Sequence, residues 1–271
     1  MKAIMVGVDG SPYSEVALQY AVEVAGLADA RVVGLAGVAG DFNGEEPLAE
    51  QDVAEIEGLE ALPAAVVEWF QQALDDCGQA CRVAEVPFAA RMLAGHPARV
   101  LTREAQAADM LVLGCKGRRN DDMELLGNTT RHLIRSCIKP VLVARSEYRA
   151  IERALVGYDG SPASGHAVEW VADLAAAGDW EVAVVTGAMP ESDLAEGVRF
   201  AAELVRSRGV DPKVMRVEGD APSIIFEQMR AWEPDIIAVG GPMRGTLSGF
   251  FLGEAWPEIV EQADVPVLRW R

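Results

Sequence analysis

The chain has 271 residues, a mass of 29.0 kDa and a formal net charge of -18, with a pI near 4.6. Half of it is hydrophobic and 24% is charged, which excludes disorder as the main state and suits two domains of ordinary size. So acidic a surface repels phosphate backbones and anionic lipid headgroups, so neither nucleic acid nor a membrane is expected as a partner.

Four cysteines stand at 77, 81, 115 and 137, with no CxxC pair, and read as reduced thiols of a cytoplasmic protein. The three histidines, His96, His132 and His166, show no metal-ligand spacing. The apolar run at residues 3–8 is too short for a signal-peptide core, and no apolar run reaches the length of about 18 residues that spans a bilayer.

The first half reads as alternating strands and helices. Residues 3–8 form an apolar run suited to a strand buried on both faces. Ser11 is a good N-cap with Pro12 at the first helical position, and Ala17, Ala21 and Val24 then share a helix face. Strand two is expected at 31–35, a long helix over roughly 48–76, and strand three at 82–86. A helix over 97–107, strand four at 110–113, a helix over 129–136 and strand five at 141–143 complete the half.

The second half repeats the first. Val6-Gly7-Val8-Asp9-Gly10-Ser11-Pro12 returns as Val156-Gly157-Tyr158-Asp159-Gly160-Ser161-Pro162. Asp109 to Gly114 matches Asp235 to Gly240, Gly127 matches Gly253, and Pro140-Val141-Leu142 matches Pro266-Val267-Leu268, all at one offset. Gly95-His96-Pro97 resembles Gly219-Asp220-Ala221-Pro222 with one residue inserted. Two tandem domains follow, 1–147 and 152–271, joined near 148–152. The second has a shorter second helix, about 193–207, which makes residues 40–78 an elaboration of the first.

Strand–helix alternation predicts an α/β fold: in each repeat a doubly wound, five-stranded parallel sheet of order 3-2-1-4-5 with helices on both faces. Ligands of such sheets bind beyond the carboxyl ends of the strands where the order reverses, here between strands one and four. The loops after Val8 and Leu113 would meet there.

The first loop, Asp9-Gly10-Ser11-Pro12, reads as a turn and helix cap, which accounts for Gly10, Ser11 and Pro12. Asp9 is left over, and a carboxylate at a strand end can accept hydrogen bonds from an exocyclic amine. The second loop, Gly114-Cys115-Lys116-Gly117-Arg118-Arg119-Asn120, runs on to Gly127-Asn128-Thr129-Thr130 at a helix start. Its glycines let backbone amides approach phosphate oxygens, and the helix N-terminus adds free amides and a favourable dipole. Lys116, Arg118 and Arg119 supply positive charge; Asn128, Thr129 and Thr130 supply side-chain donors. Cys115 reads as a small structural residue. Asp121, Asp122 and Glu124 read as a solvated acidic stretch, with Mg²⁺ ligation beside phosphate as the alternative.

The spacing Gly114-x2-Gly117-x9-Gly127, after an Asp-Gly-Ser strand end and before a closing Pro-Val-Leu, resembles the universal stress protein family, in a tandem form covering nearly the whole chain. The resemblance implies an adenine-nucleotide site (ATP, ADP or AMP, with Mg²⁺ as an optional companion). Gly7, Val8 and Asp9 would contact adenine. Gly37 falls where the family often has a valine at adenine. Leu113, Gly114, Lys116, Gly117 and Arg118 would line ribose and phosphates, and Gly127, Asn128 and Thr129 would cradle phosphates; the family usually has Ser or Thr in place of Asn128.

The second repeat departs further, with Met243 at the middle glycine position and Glu254 at the hydroxyl position. A like charge at 4 Å costs about 4 kcal/mol at an effective dielectric of 20. That is about a thousandfold in affinity. One nucleotide per chain is therefore expected, in the first repeat.

Three readings of function follow: a nucleotide-binding regulatory protein of the stress response, a slow ATPase or nucleotidyl-transfer enzyme on the same fold, and a nucleotide-free interaction module. The chain shows no Ser/His/Asp arrangement, metal cluster or GxxxxGK[ST] loop, and His96 and Asp122 are the only tempting acid–base candidates, so no catalytic residues are assigned and the first reading is preferred. The partners expected are the nucleotide, the two repeats for each other as an internal pseudo-dimer, a second copy of the chain, and an unidentified regulatory protein. Residues 141–143 and 266–268 would supply the pairing edges.

Overall fold

The structure, a computed structural model, describes residues 1–38, 58–118, 125–186, 191–217, 220–240 and 252–271. The chain divides into two compact units, Met1–Tyr148 and Arg149–Arg271.

The first unit contains β1 (Ala3–Gly7), α1 (Pro12–Ala28), β2 (Arg31–Val38), α2 (Ala64–Val83), β3 (Phe88–Ala94), α3 (Pro97–Glu104), β4 (Met110–Gly114), α4 (Asn128–Ser136) and β5 (Val141–Ala144). Its strands run in the order β3-β2-β1-β4-β5, and every pair is parallel. The second unit contains β6 (Arg153–Gly157), α5 (Pro162–Gly178), β7 (Glu181–Thr186), α6 (Glu191–Arg206), β8 (Lys213–Arg216), α7 (Ala221–Trp232), β9 (Ile236–Gly240), α8 (Leu252–Gln262) and β10 (Val267–Trp270). Its order β8-β7-β6-β9-β10 repeats that of the first, again all parallel. The expected fold and strand order are therefore both found.

Burial explains why these runs are strands. All of β4 and β5 is buried, as is β1 up to Gly7, and each reads as a continuous apolar run rather than an alternation. Glycines mark where helices press on the sheet. A Cβ on Gly34 would meet Phe88 and Leu74 of α2, and one on Gly114 would meet Tyr13 of α1. A Cβ on Gly37 would lie 2.9 Å from Pro97 Cα in α3, and one on Gly7 would meet Leu101 of α3. By the period of two and the register, Gly34 and Gly37 face opposite sides, so α1 and α2 cover one face and α3 the other.

Both opening helices are built alike. Ser11 and Ser161 cap α1 and α5 by accepting the amides of Ser14 and Ser164 at 3.2 Å, each followed by Pro at the first position. Both helices end on an aspartate in the left-handed region, Asp29 (φ 48°) and Asp179 (φ 57°).

The first unit corrects the sequence in its middle. Strand three was expected at 82–86, but Arg82 and Val83 finish α2 and the strand is β3, beginning at Phe88. The amphipathic stripe Val66, Phe70, Leu74, Cys77 and Cys81 carries the helix on. Of the helix expected over 48–76, residues 48–57 lie outside the described residues, and α2 starts only at Ala64 after a short 3-10 turn, Leu59–Ala61. Strand β2 runs on to Val38, three residues past the expected end.

Candidate functional site

The carboxyl ends of β1 and β4 stand side by side, and their loops meet. Register places Val6 opposite Val112, so Val8 and Gly114 end neighbouring strands. Val8 is buried, and its amide donates to the Leu35 carbonyl at 2.9 Å. Asp9 follows, with its carboxylate held by both loops. Oδ1 accepts the Ser11 amide at 3.0 Å, and Oδ2 accepts the Arg118 amide at 2.9 Å. A Cβ on Gly117 would lie 2.8 Å from Asp9 Oδ2, so the glycine leaves the room that the carboxylate occupies.

The far side of the crevice is the start of α4. Gly127 stands at the N-cap of this helix and, being a glycine, offers no side chain of its own to the first turn. A helix N-terminus left this way presents donors and a positive dipole end to an anion. The Gly127 amide donates to the Cys115 carbonyl at 2.8 Å, tying the cap to the glycine loop. Asn128 is exposed and Thr129 half-buried. Thr130, read as a donor for phosphate, is buried and donates its hydroxyl to the Gly114 carbonyl at 2.8 Å. Its oxygen holds the loop, which corrects that expectation.

Other expected site residues have packing explanations. Gly7 and Gly37 face α3, with Gly37 against the Pro97 backbone. Gly114 is pressed against the start of α1, where a Cβ would stand 2.7 Å from Tyr13. Leu113 is buried, and Lys116 is half-buried at the loop. Cys115 is buried too, and burial pushes its thiol up while Arg145 and Lys116 pull the other way. Residues 119–124, with Arg119, Asp121, Asp122 and Glu124, lie outside the described residues, as do Met243 and the rest of 241–251. Among the described residues, no group of three or more His, Cys, Asp or Glu is placed to hold a metal ion.

The structure adds one residue that the sequence did not single out. Trp69 of α2 crosses to the site: its Nε1–H donates to the Asp9 carbonyl at 3.3 Å. The Arg118 guanidinium lies over the indole, 4.1 Å from the ring centroid. Gly10 makes this approach feasible. Its φ is +69°, and a Cβ there would lie 2.6 Å from Trp69 Nε1. The available signal was that Trp69 sits one residue off the buried stripe of α2, where a large apolar side chain has no place in that helix's own core contact.

The second unit keeps the frame and changes the contents. Asp159 Oδ1 accepts the Ser161 amide at 3.0 Å, as Asp9 does with Ser11. Gly240 is pressed on Ala163 and Ser164, as Gly114 is on Tyr13. Where the first unit has Val8, the second has Tyr158, buried, with a Cβ on Gly197 of α6 placed only 3.3 Å from its ring.

Comparison with known proteins agrees with this architecture. The universal stress protein family model matches residues 1–145 and again 150–271. A universal stress protein of Mycolicibacterium smegmatis is 27% identical over 286 aligned positions, covering 98% of this chain and 95% of that protein. One from Mycobacterium tuberculosis is 30% identical over 186 positions, covering 64% of this chain and 58% of that protein. The crystal structure of a universal stress protein from Archaeoglobus fulgidus superposes with a TM-score of 0.76 at 16% identity, covering 99% of this chain and 98% of the other. Two family matches in succession, on two units of one topology, place the chain in the universal stress protein family, as a tandem pair of its domains.

Proposed function

We propose that the first repeat binds one adenine nucleotide, ATP, ADP or AMP, in the crevice between the ends of β1 and β4, and that the protein acts in the stress response through the bound state rather than through turnover. The observation that carries this reading is the meeting of Asp9 with the glycine loop, through the 2.9 Å bond from the Arg118 amide, opposite a helix start whose N-cap is a glycine. A carboxylate for the base, small residues and cations for phosphate, and an open helix N-terminus are the parts such a ligand needs. Asp9 with Gly7 and Val8 would face the base. Lys116, Gly117 and Arg118 would face ribose and phosphates, and Gly127, Asn128 and Thr129 the terminal phosphates. Gly37 is the weakest member, because packing against Pro97 already accounts for it. A Mg²⁺ ion would enter with the phosphates.

The second repeat is the non-binding member. Tyr158 puts a larger side chain where the first repeat has Val8, and Met243 and Glu254 oppose phosphate on chemical grounds. A regulatory protein would read the nucleotide state of the first repeat by its differential affinity for the two states.

The test is to heat-denature the purified protein, identify what it releases, and titrate the stripped protein with ATP, ADP and AMP by calorimetry. One nucleotide per chain is expected. Two per chain would refute the silent second repeat. No release and no uptake would leave an interaction module in place of a nucleotide site.

A further inference from the structure

Trp69 belongs to neither loop, yet it touches both. Its N–H is fixed on the Asp9 carbonyl of the first loop, and its face carries the Arg118 guanidinium of the second. It is 43% exposed, so part of a large aromatic ring is open to solvent beside both loops. An indole is the strongest of the aromatic partners for a cation, and it is an equally good platform for a nucleobase, since every base has a π-face.

We propose that Trp69 is the base-stacking plate of the nucleotide site: adenine takes the place over the indole that the Arg118 guanidinium holds in this structure, and Arg118 turns to the phosphates. The proposal rests on the nucleotide site proposed above. The exchange is chemically even-handed at the ring, because a flat cation leaves and a flat base arrives. At the other end, a guanidinium is a strong, geometrically specific partner for an anionic phosphate. The ring need not move. Its edge is pinned by the Asp9 carbonyl, and Gly10 has no side chain to push it away. The consequence is selectivity: the site would prefer nucleotides that carry a base over bare polyphosphate.

Calorimetric titration of the full chain with ATP and with inorganic tripolyphosphate tests this, using wild type, Trp69→Phe and Trp69→Ala. Base stacking on an aromatic residue predicts that ATP affinity falls at least about tenfold in Trp69→Ala. Trp69→Phe should retain most of it, and tripolyphosphate affinity should not fall in either variant. Trp69 is the only tryptophan among residues 1–148, so ATP should also quench a component of the emission that Trp69→Phe lacks. This second readout stands even if Trp69→Ala folds poorly by circular dichroism. ATP binding that is equal in wild type and Trp69→Ala, or tighter in Trp69→Ala, would overturn the proposal and leave the nucleotide site intact; tighter binding would make the indole an obstruction. A wild type that takes up neither ATP, ADP nor AMP overturns the site and the plate together.

Discussion

The carboxylate of Asp109 clamps the start of β1, accepting the backbone amide of Ala3 at 3.0 Å while the Asp109 amide donates to the Ala3 carbonyl at 2.9 Å. The same Oδ2 accepts the Lys2 amide at 2.6 Å. Asp235 does the same for β6, taking the amides of Arg153 at 2.8 Å and Glu152 at 3.0 Å. The aspartate that opens each Asp109-type match is thus a brace between the first and fourth strands of its repeat, away from the crevice at their other ends.

Hydrogen bonding to the Lys2 amide, foremost, and to the Ala3 amide holds the Asp109 carboxyl below the usual carboxylate range. A group whose pKa is lower folded than unfolded stabilises the fold above its unfolded value, about 4, and loses that contribution as pH falls through the folded value. Asp109→Ala should therefore cost about 1 kcal/mol at neutral pH, toward the low end because the site is exposed. The gap between variant and wild type in thermal melts should close below about pH 4. A gap that stayed constant from pH 7 to pH 3 would remove the ionised carboxylate from the account.

Gly10→Ala meets two obstacles at once. Its φ of +69° costs a side chain about 1–2 kcal/mol. The added methyl would also stand 2.6 Å from Trp69 Nε1 and push the indole off the Asp9 carbonyl. The expected outcome is a lower melting temperature together with a changed near-ultraviolet dichroism from Trp69. In a double-mutant cycle with Trp69→Ala, part of the Gly10→Ala penalty should vanish. Full additivity would mean that the backbone alone sets the cost.

Gly37→Ala separates packing from ligand contact. A Cβ 2.9 Å from the Pro97 Cα meets backbone, which cannot rotate away, so overpacking should cost about 1–3 kcal/mol. Urea unfolding would measure this. Retained stability combined with weakened nucleotide binding would instead return Gly37 to the ligand.

Thr130→Val deletes the hydroxyl that reaches the Gly114 carbonyl at 2.8 Å, in a buried site. The shape is kept while one carbonyl loses its partner, a loss of about 1–3 kcal/mol. The glycine loop should also become more mobile, seen as faster amide exchange at residues 114–117. Unchanged exchange there would show that the Gly127–Cys115 and Arg118–Asp9 bonds hold the loop without the hydroxyl.

The tandem organisation was legible because it is written as repeated landmarks at fixed spacing, and buried parallel strands carry continuous apolar runs that need no partner to be recognised. Strand β3 was not, because an edge strand with Ala89, Ala90 and Arg91 exposed lacks such a run. The run Arg82-Val83-Ala84-Glu85-Val86 looked more like a strand, but Cys81 belongs to the helical stripe and the turn follows it. At the site, Asp9, Gly117 and Gly127 were readable as loop chemistry. Trp69 was not, since its approach to Asp9 spans 60 positions and depends on how α2 packs. Thr130 was misread because a hydroxyl in a phosphate-like loop has the same sequence signature whether it faces outward or inward.

All four cysteines are buried thiols outside any disulfide. Burial pushes Cys77 up to about 12 and Cys81 up to about 11, and raises Cys115 as well. Thiolates are the reactive form, so in the folded protein at neutral pH the native thiols are nearly silent toward maleimides. A single cysteine introduced on an exposed helix position would then accept a fluorophore or spin label selectively, with no native cysteine removed. Each repeat could carry its own label, and the two could be followed independently while nucleotide is added.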